Sequence, residues 1–141
     1  MIQFNRNKSL LKRHPINRAR QNRLTREFRE RGSVIYQSQE TDSYLDKLGV
    51  HAINYDECTI ILRTNPTVSE VLEELYHANQ HLESKIDPNS SVSICKAEIE
   101  AQKYLISVEK VYNLPKIETI ETMRNLFYWR KKLEEELKNE N

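Results

Sequence analysis

The chain is 141 residues long, with 38% hydrophobic residues, 30% charged residues and two glycines. This length fits one domain with a modest core, and the composition favours a helix-rich globular chain over a sandwich or barrel, which needs many tight turns. The net charge of +1 is distributed unevenly along the chain. Residues 1–31 contain ten Lys/Arg and two acidic residues, so the other 110 residues carry a net charge of about −7. No apolar run approaches the ~20 residues that cross a bilayer, and the N-terminus has no apolar signal core, so the sequence predicts neither a membrane partner nor a signal peptide in this chain.

The basic N-terminal region is predicted to be an arm followed by a helix. Residues 1–17 are predicted to be irregular, and residues 17–31 form a helix that a glycine ends. We therefore divide the chain into a basic arm and helix, residues 1–31, and a body, residues 32–141, within one globular domain. The positive charge suits contact with nucleic acid, a membrane surface or an acidic partner, although a solvated amphipathic helix is the simpler explanation.

Two strands are predicted on either side of a short helix. Residues 33–37 have the β-branched and aromatic content of a strand, and residues 41–48 form the helix. The secondary structure of residues 52–55 is ambiguous from the sequence. Residues 58–63 form the clearest strand, and their continuous apolar run predicts burial on both faces.

The most strongly indicated element is a helix over residues 67–82. Asn65-Pro66 ends the preceding strand. Thr67 and Glu70 have the spacing of a capping box, in which each side chain bonds the other residue's backbone amide. On a helical wheel one face is apolar and consists of Val68, Val71, Leu72, Leu75, Ala78 and Leu82. The opposite face is polar and holds Glu73, His77 and Gln80, with Glu74 and His81 beside them.

A second helix, residues 94–112, is predicted after a loop at residues 86–92. Its apolar stripe is Cys95, Glu98, Ala101, Leu105, Val108 and Tyr112. Glu98 is the anomaly, because a carboxylate buried without a partner would cost several kcal/mol. We therefore expect Glu98 to have a partner, whereas Glu100, on the other side of the helix, is explained by a solvated ion pair.

A last helix is predicted over residues 117–137. Its inner side is expected to hold Ile120, Met123, Leu126, Phe127, Arg130 and Leu133. Together the elements predict an α+β fold, mostly helical, in which a small sheet packs on the helix of residues 67–82, the helix that carries Glu98 lies beside it, and a C-terminal helix follows.

No chemistry is predicted for the two cysteines or for the two histidines outside the helix of residues 67–82. Cys58 and Cys95 show no disulfide framework and are expected to be small buried hydrophobes. His14 and His51 lie outside any motif and are expected to be solvated.

The segment Glu73-Glu74-Leu75-Tyr76-His77 has the spacing of a zincin metal site. Such a site needs two ligands at i and i+4, a carboxylate beside the first ligand to activate water, and a third ligand from another element. The usual motif is His-Glu-x-x-His, and here a glutamate stands in place of the first histidine. We therefore predict Glu73, His77 and Glu98 as metal ligands and expect Glu74 to be the general base. Supporting or alternative residues are Gln80, His81, Glu100 and Gln102, of which His81 would replace Glu73 as a ligand.

The expected metal is zinc or another divalent cation. Zinc accepts carboxylate oxygen, but two carboxylates and one imidazole also suit manganese or iron. The simpler alternative for Glu73 and His77 is an exposed i,i+4 pair on a solvated face.

The same residues carry a family resemblance. The segment Glu-Glu-Leu-Tyr-His-Ala-Asn-Gln, followed by Ala97-Glu98-Ile99-Glu100-Ala101-Gln102, resembles the zincin-like metallopeptidase toxin domains of bacterial polymorphic toxins, and the resemblance covers roughly residues 28–133. Glu98-x-x-Ala101 is similar to the Glu-x-x-Ala-Asp third-ligand motif of Glu-ligated zincins, with Gln102 where aspartate is common.

This resemblance implies a minimal zincin-like fold over residues 32–141 and a metal-dependent hydrolase, most simply a peptidase. It further implies a toxin module that is secreted or delivered by a bacterial system as part of a larger effector and acts in the cytoplasm of the target cell. The implied partners are a cognate immunity protein and a macromolecular substrate of the host cell, a protein rather than a nucleic acid.

Two other functions remain open from the sequence. A nuclease toxin would use the basic helix to bind phosphates and the Glu/His group for acid–base work. Its phosphate-binding residues would be Arg18, Arg20, Arg23, Arg26 and Arg29. A catalytically decayed interaction module would keep the fold without the chemistry.

Overall fold

The computed structural model describes residues 13–140, and within them the fold is α+β and mostly helical, as the sequence predicts. The basic arm before residue 13 lies outside the described residues. In chain order the elements are α1 (Arg18–Leu24), α2 (Arg26–Glu30), β1 (Val34–Tyr36), α3 (Gln39–Leu48), β2 (Ala52–Asp56), β3 (Thr59–Leu62), α4 (Val68–Leu82), α5 (Ser91–Ser107) and α6 (Lys116–Asn139). In this part of the chain, no helix is both long enough and apolar enough to cross a bilayer.

The sheet is small and mixed, with β3 in its centre. The strand order is β1-β3-β2, in which β1 runs parallel to β3 and β2 runs antiparallel to it. Ile60 and Leu62 pack on one face in a cluster with Ala78 of α4. Ile61 points to the other face and packs against a cluster that contains Leu45 of α3. Both faces of β3 are therefore covered, which explains its unbroken apolar sequence.

The helix predicted over residues 17–31 is broken in two at Thr25. The Thr25 hydroxyl donates to the carbonyl of Gln21, 2.8 Å away, and the Arg29 Nε donates to that same hydroxyl. A threonine that bonds back to the preceding turn bends a helix, and Thr25 has a ψ angle of 5° between the two segments. The bend helps place Phe28, which is 4% exposed, in the cluster between the sheet and α4.

The N-terminus of α4 is capped as predicted and is also held by a distant residue. Thr67 and Glu70 form the capping box. Arg13 donates to both carboxylate oxygens of Glu70 at 2.7 Å, which makes a bidentate ion pair. His51 was expected to be solvated, but it is 9% exposed and its Nδ1 lies 3.1 Å from Arg13 Nη1. The sequence gives no periodic signal for this group, because its members are brought together only by the tertiary fold.

The orientation of α6 corrects the prediction from its sequence. Leu126 is buried, but the other large apolar residues of the predicted inner side are largely exposed, with Ile120 at 47%, Met123 at 54% and Phe127 at 63%. Arg130 is also exposed and Leu133 is half-buried. The buried residues of α6 are Glu118, Thr119, Thr122, Asn125 and Leu126.

The buried face of α6 packs mainly against α5 and also makes a polar contact with α4. The Glu118 carboxylate accepts hydrogen bonds from the Ser69 hydroxyl at 2.5 Å and from the Ser69 backbone amide at 3.3 Å. A helical-periodicity argument assumes that the apolar stripe faces the core, and here hydrogen bonding decides the orientation instead.

The two cysteines differ in their environments. Cys95 is buried on α5, as predicted. Cys58 is exposed, contrary to the prediction, because it lies in the turn between β2 and β3 rather than inside the strand.

Candidate metal centre

Helices α4 and α5 bring Glu73, His77 and Glu98 together. Glu73 and His77 lie one turn apart on α4, with 3.9 Å between Glu73 Oε2 and His77 Nε2. Glu98 reaches across from α5 and places its Oε1 3.4 Å from the same nitrogen. One ligand atom from each residue lies within 4.8 Å of the other two. The three residues predicted as ligands therefore form one group.

The spacing and the donor set of this group fit a divalent cation. Two ligands of a tetrahedral ion with bonds of about 2.1 Å lie about 3.4 Å apart. The separations of 3.4 and 3.9 Å from His77 Nε2 come close to that value, and all three ligand atoms lie within 4.8 Å of one another. Two carboxylate oxygens and one imidazole nitrogen supply three ligands, which leaves a position for a further one. The group can therefore hold a metal ion.

Burial distinguishes this group from an ordinary surface cluster. The exposed fraction is 2% for Glu73 and 0% for both His77 and Glu98. Acidic side chains are rarely buried so completely unless they are paired or bind a cation. The alternative of a solvated i,i+4 pair is therefore wrong for Glu73 and His77.

Gln80 fixes the ring of His77. The Gln80 Nε2 donates to the carbonyl of Ala97 at 3.0 Å, so its Oε1 is the atom that lies 2.7 Å from His77 Nδ1. An amide oxygen only accepts, so the hydrogen of a neutral His77 ring is on Nδ1 and the lone pair of Nε2 points to the two carboxylates. This is the arrangement that a metal-binding histidine requires.

The electrostatics of Glu98 also favour a cation. Burial raises the pKa of Glu98 to about 7, although the nearby His77 opposes the shift. Gln102 Nε2 lies 3.4 Å from Glu98 Oε1, while Oε2 has no hydrogen-bond partner within residues 13–140. Burial opposes the positive charge on His77, but the carboxylates of Glu98 and Glu73 outweigh it and raise the pKa of that ring. The site therefore favours added positive charge, which either a proton on His77 or a bound cation would supply.

The group of three does not include the other predicted residues Glu74, His81 and Glu100. Glu74 follows Glu73 on α4 and is 2% exposed, but it is not one of the three grouped ligands. His81 is half-buried, and burial together with the neighbouring His77 lowers its pKa. His81 does not replace Glu73 in the group. Glu100 is exposed and lies 4.0 Å from Lys85, so it is outside the site.

The basic N-terminal helices are partly occupied by structural contacts. Arg18, Arg20 and Arg29 donate to acceptors in the chain, respectively the side chain of Gln37 and the carbonyls of Tyr112 and Asn22. Arg23 and Arg26 are exposed. Three of the five arginines proposed to bind phosphates therefore serve the fold.

Comparison with known proteins does not identify a relative. No family model, curated protein or solved structure matches the chain.

Proposed function

We propose that this chain is a metal-dependent hydrolase whose cation is held by Glu73, His77 and Glu98. The observation that supports the proposal is the convergence of their three ligand atoms, which lie within 4.8 Å of one another in a buried site. Zinc is the first candidate, and manganese or iron would suit the two carboxylate oxygens as well.

The residues around the ligands would have the other roles in catalysis and in positioning the ligands. A bound divalent cation would act as a Lewis acid and lower the pKa of a coordinated water. Glu74 follows the first ligand and is buried, so its carboxylate is the candidate to accept the proton of the attacking water. Gln80 holds the His77 ring through Nδ1, and Gln102 contacts the Glu98 carboxylate.

The burial of the ligands limits what can reach them. Because none of the three side chains is more than 2% exposed, a peptide substrate would need a movement of the residues that cover the site. Metal binding and hydrolysis are therefore separate steps of the proposal, and each needs its own measurement.

A polymorphic-toxin role would follow from the resemblance of the segments around His77 and Glu98 to zincin-like toxin domains. On this proposal the chain acts in the cytoplasm of a target cell after delivery as part of a larger effector, its substrate is a protein, and a dedicated immunity protein blocks it. The nuclease alternative has less support, because Arg18, Arg20 and Arg29 already donate within the chain.

The proposal is tested by metal analysis of purified protein and of matched variants. We expect about one equivalent of metal in the unmodified chain and in His14→Ala, which removes an exposed histidine outside the site. His77→Ala should lose the metal, because it leaves two carboxylates without the nitrogen ligand. Equal metal content in the His77→Ala and His14→Ala variants would remove the ligand assignment.

Hydrolysis is tested separately with Glu74→Gln. This change should keep the metal and abolish both cleavage of a target-cell protein and toxicity on expression, because the amide cannot accept the proton. If the variant binds metal and stays fully toxic, the chain is a metal-binding interaction module and not a hydrolase.

A further inference from the structure

Helix α6 presents an apolar stripe to solvent. Ile120, Met123 and Phe127 follow one another at spacings of three and four, which places them in one row along the helix. They are 47%, 54% and 63% exposed. Tyr128, at 49%, borders the row. The stripe is therefore a continuous surface and not one scattered apolar residue.

Exposed cations lie on both sides of this stripe. Arg130 falls on one flank, Arg124 and Lys131 fall on the other, and Lys116 lies at the N-terminal end of the row itself. The Lys131 ammonium lies 5.1 Å from the centre of the Phe127 ring, which is within the range of a cation–π contact. An apolar row between two cationic flanks favours a partner with the opposite pattern, namely an apolar row between acidic flanks.

We propose that the stripe of Ile120, Met123 and Phe127 is a docking surface for an amphipathic helix of another protein, whose apolar residues are flanked by Asp and Glu. The partner helix lies along α6, its apolar residues cover the stripe, and its carboxylates face the four cations. The polar contact between Glu118 and Ser69 supports this assignment, because it holds α6 with the stripe turned outward.

A second copy of this chain fits the surface poorly. If two α6 helices crossed antiparallel at Phe127, identical flanks would meet, and Arg124 of each copy would lie near Lys131 of the other. Parallel pairing brings opposite flanks together, which would place Arg130 of each copy beside Lys131 of the other. Both arrangements bring like charges together, which opposes association.

An anionic membrane surface also fits less well than a protein helix. The stripe is one residue wide, whereas interfacial helices bury a broad apolar face. Glu134, Glu135 and Glu136 follow on the same helix and would be repelled by anionic lipid. A partner helix accommodates both features, because it covers a narrow row and can offer a cation near Glu134.

A designed peptide tests the proposal on the full chain. The probe is a synthetic helix of about three heptads with leucine at its a and d positions and glutamate on both flanks, and the control peptide has lysine in place of each glutamate. Titration calorimetry should show binding of the glutamate peptide, weakening as salt is raised, and no binding of the lysine peptide. Failure of the glutamate peptide to bind, or equal binding of the two, would overturn the proposal.

Variants of the chain locate the binding site. Phe127→Asp should weaken the glutamate peptide by about tenfold or more, since it removes the most exposed member of the stripe and adds a repelled charge. The matched control is Val111→Asp, which changes another residue that is 75% exposed, outside α6, and should leave the affinity unchanged. An unchanged urea-unfolding midpoint of Phe127→Asp shows that the fold persists, and this control does not depend on the proposed metal site.

The other possible occupants give distinct results. Sedimentation of the chain alone as a dimer that Phe127→Asp dissociates would assign the stripe to self-association and refute the proposal. Binding of vesicles that contain phosphatidylserine, in preference to the glutamate peptide, would assign it to a membrane and would refute the proposal equally.

Discussion

Replacement of Glu98 by glutamine should make the metal-free protein more stable at alkaline pH, although it removes a proposed ligand. Burial raises the pKa of Glu98 from 4.5 to about 7. Between these two values the unfolded chain has lost a proton that the folded chain retains, so stability falls as pH rises through this window. A shift of this size destabilises the folded state by about 3 kcal/mol once both forms are ionised.

The pH dependence separates the joint titration of Glu98 and His77, whose pKa Glu98 raises, from effects of the change that do not depend on pH. Glutamine keeps the size of the side chain but leaves a buried amide group imperfectly paired, at a cost of about 1 kcal/mol that does not depend on pH. Glu98→Gln should therefore be stabilising by roughly 2 kcal/mol near pH 8 and neutral or slightly destabilising near pH 5.

The assay is urea unfolding of chelated protein, with and without Glu98→Gln, at both pH values. The difference between the two pH values should be about 2 to 3 kcal/mol in the stated direction. Added zinc should stabilise the unmodified chain and not the variant, because only the former keeps all three ligands. A variant that is equally destabilised at both pH values would refute the argument that Glu98 is a buried carboxyl in need of a cation.

Three further changes test the N-terminus of α4, the histidine of the site and the core. Arg13→Met should destabilise the protein by about 3 kcal/mol in urea unfolding, because it leaves the buried Glu70 carboxylate without its bidentate partner; a loss below about 0.5 kcal/mol, the size of a surface effect, would contradict this reasoning. Gln80→Ala should weaken zinc affinity by about tenfold or more in a competition titration with a chromophoric chelator, whereas Asn79→Ala, at the exposed neighbouring position, should not. Leu105→Ala should cost about 2 to 5 kcal/mol in thermal or urea unfolding, since that side chain is 1% exposed.

The elements that could be predicted are those with strong local signals. The capping box at Thr67 identified the start of α4 to within one residue, and the apolar run of β3 identified the central strand. The i,i+4 spacing of Glu73 and His77, the carboxylate of Glu98 in an apolar stripe and the family resemblance together predicted that these three residues lie close to one another.

The features that were missed depend on contacts between distant residues. Arg13 and Glu70 are 57 positions apart, and no pattern in the sequence relates them. Thr25 ends α1 through one side-chain hydrogen bond, which a helical-periodicity argument does not detect. The orientation of α6 was wrong because its largest apolar residues were assumed to face inward, whereas Glu118 turns the polar side to the interior.

The polar inner surface of α6 also determines how this helix should open. Leu126 is the one large apolar side chain among the buried residues of α6, and the freed Glu118, Thr122 and Asn125 regain hydrogen bonds to solvent. We therefore expect α6 to undergo local unfolding more readily than the sheet and α4, so that its backbone amides exchange with deuterium well before those of β3. With an order-to-disorder equilibrium of this kind, a binding partner that holds α6 in place would stabilise the folded state of the whole chain.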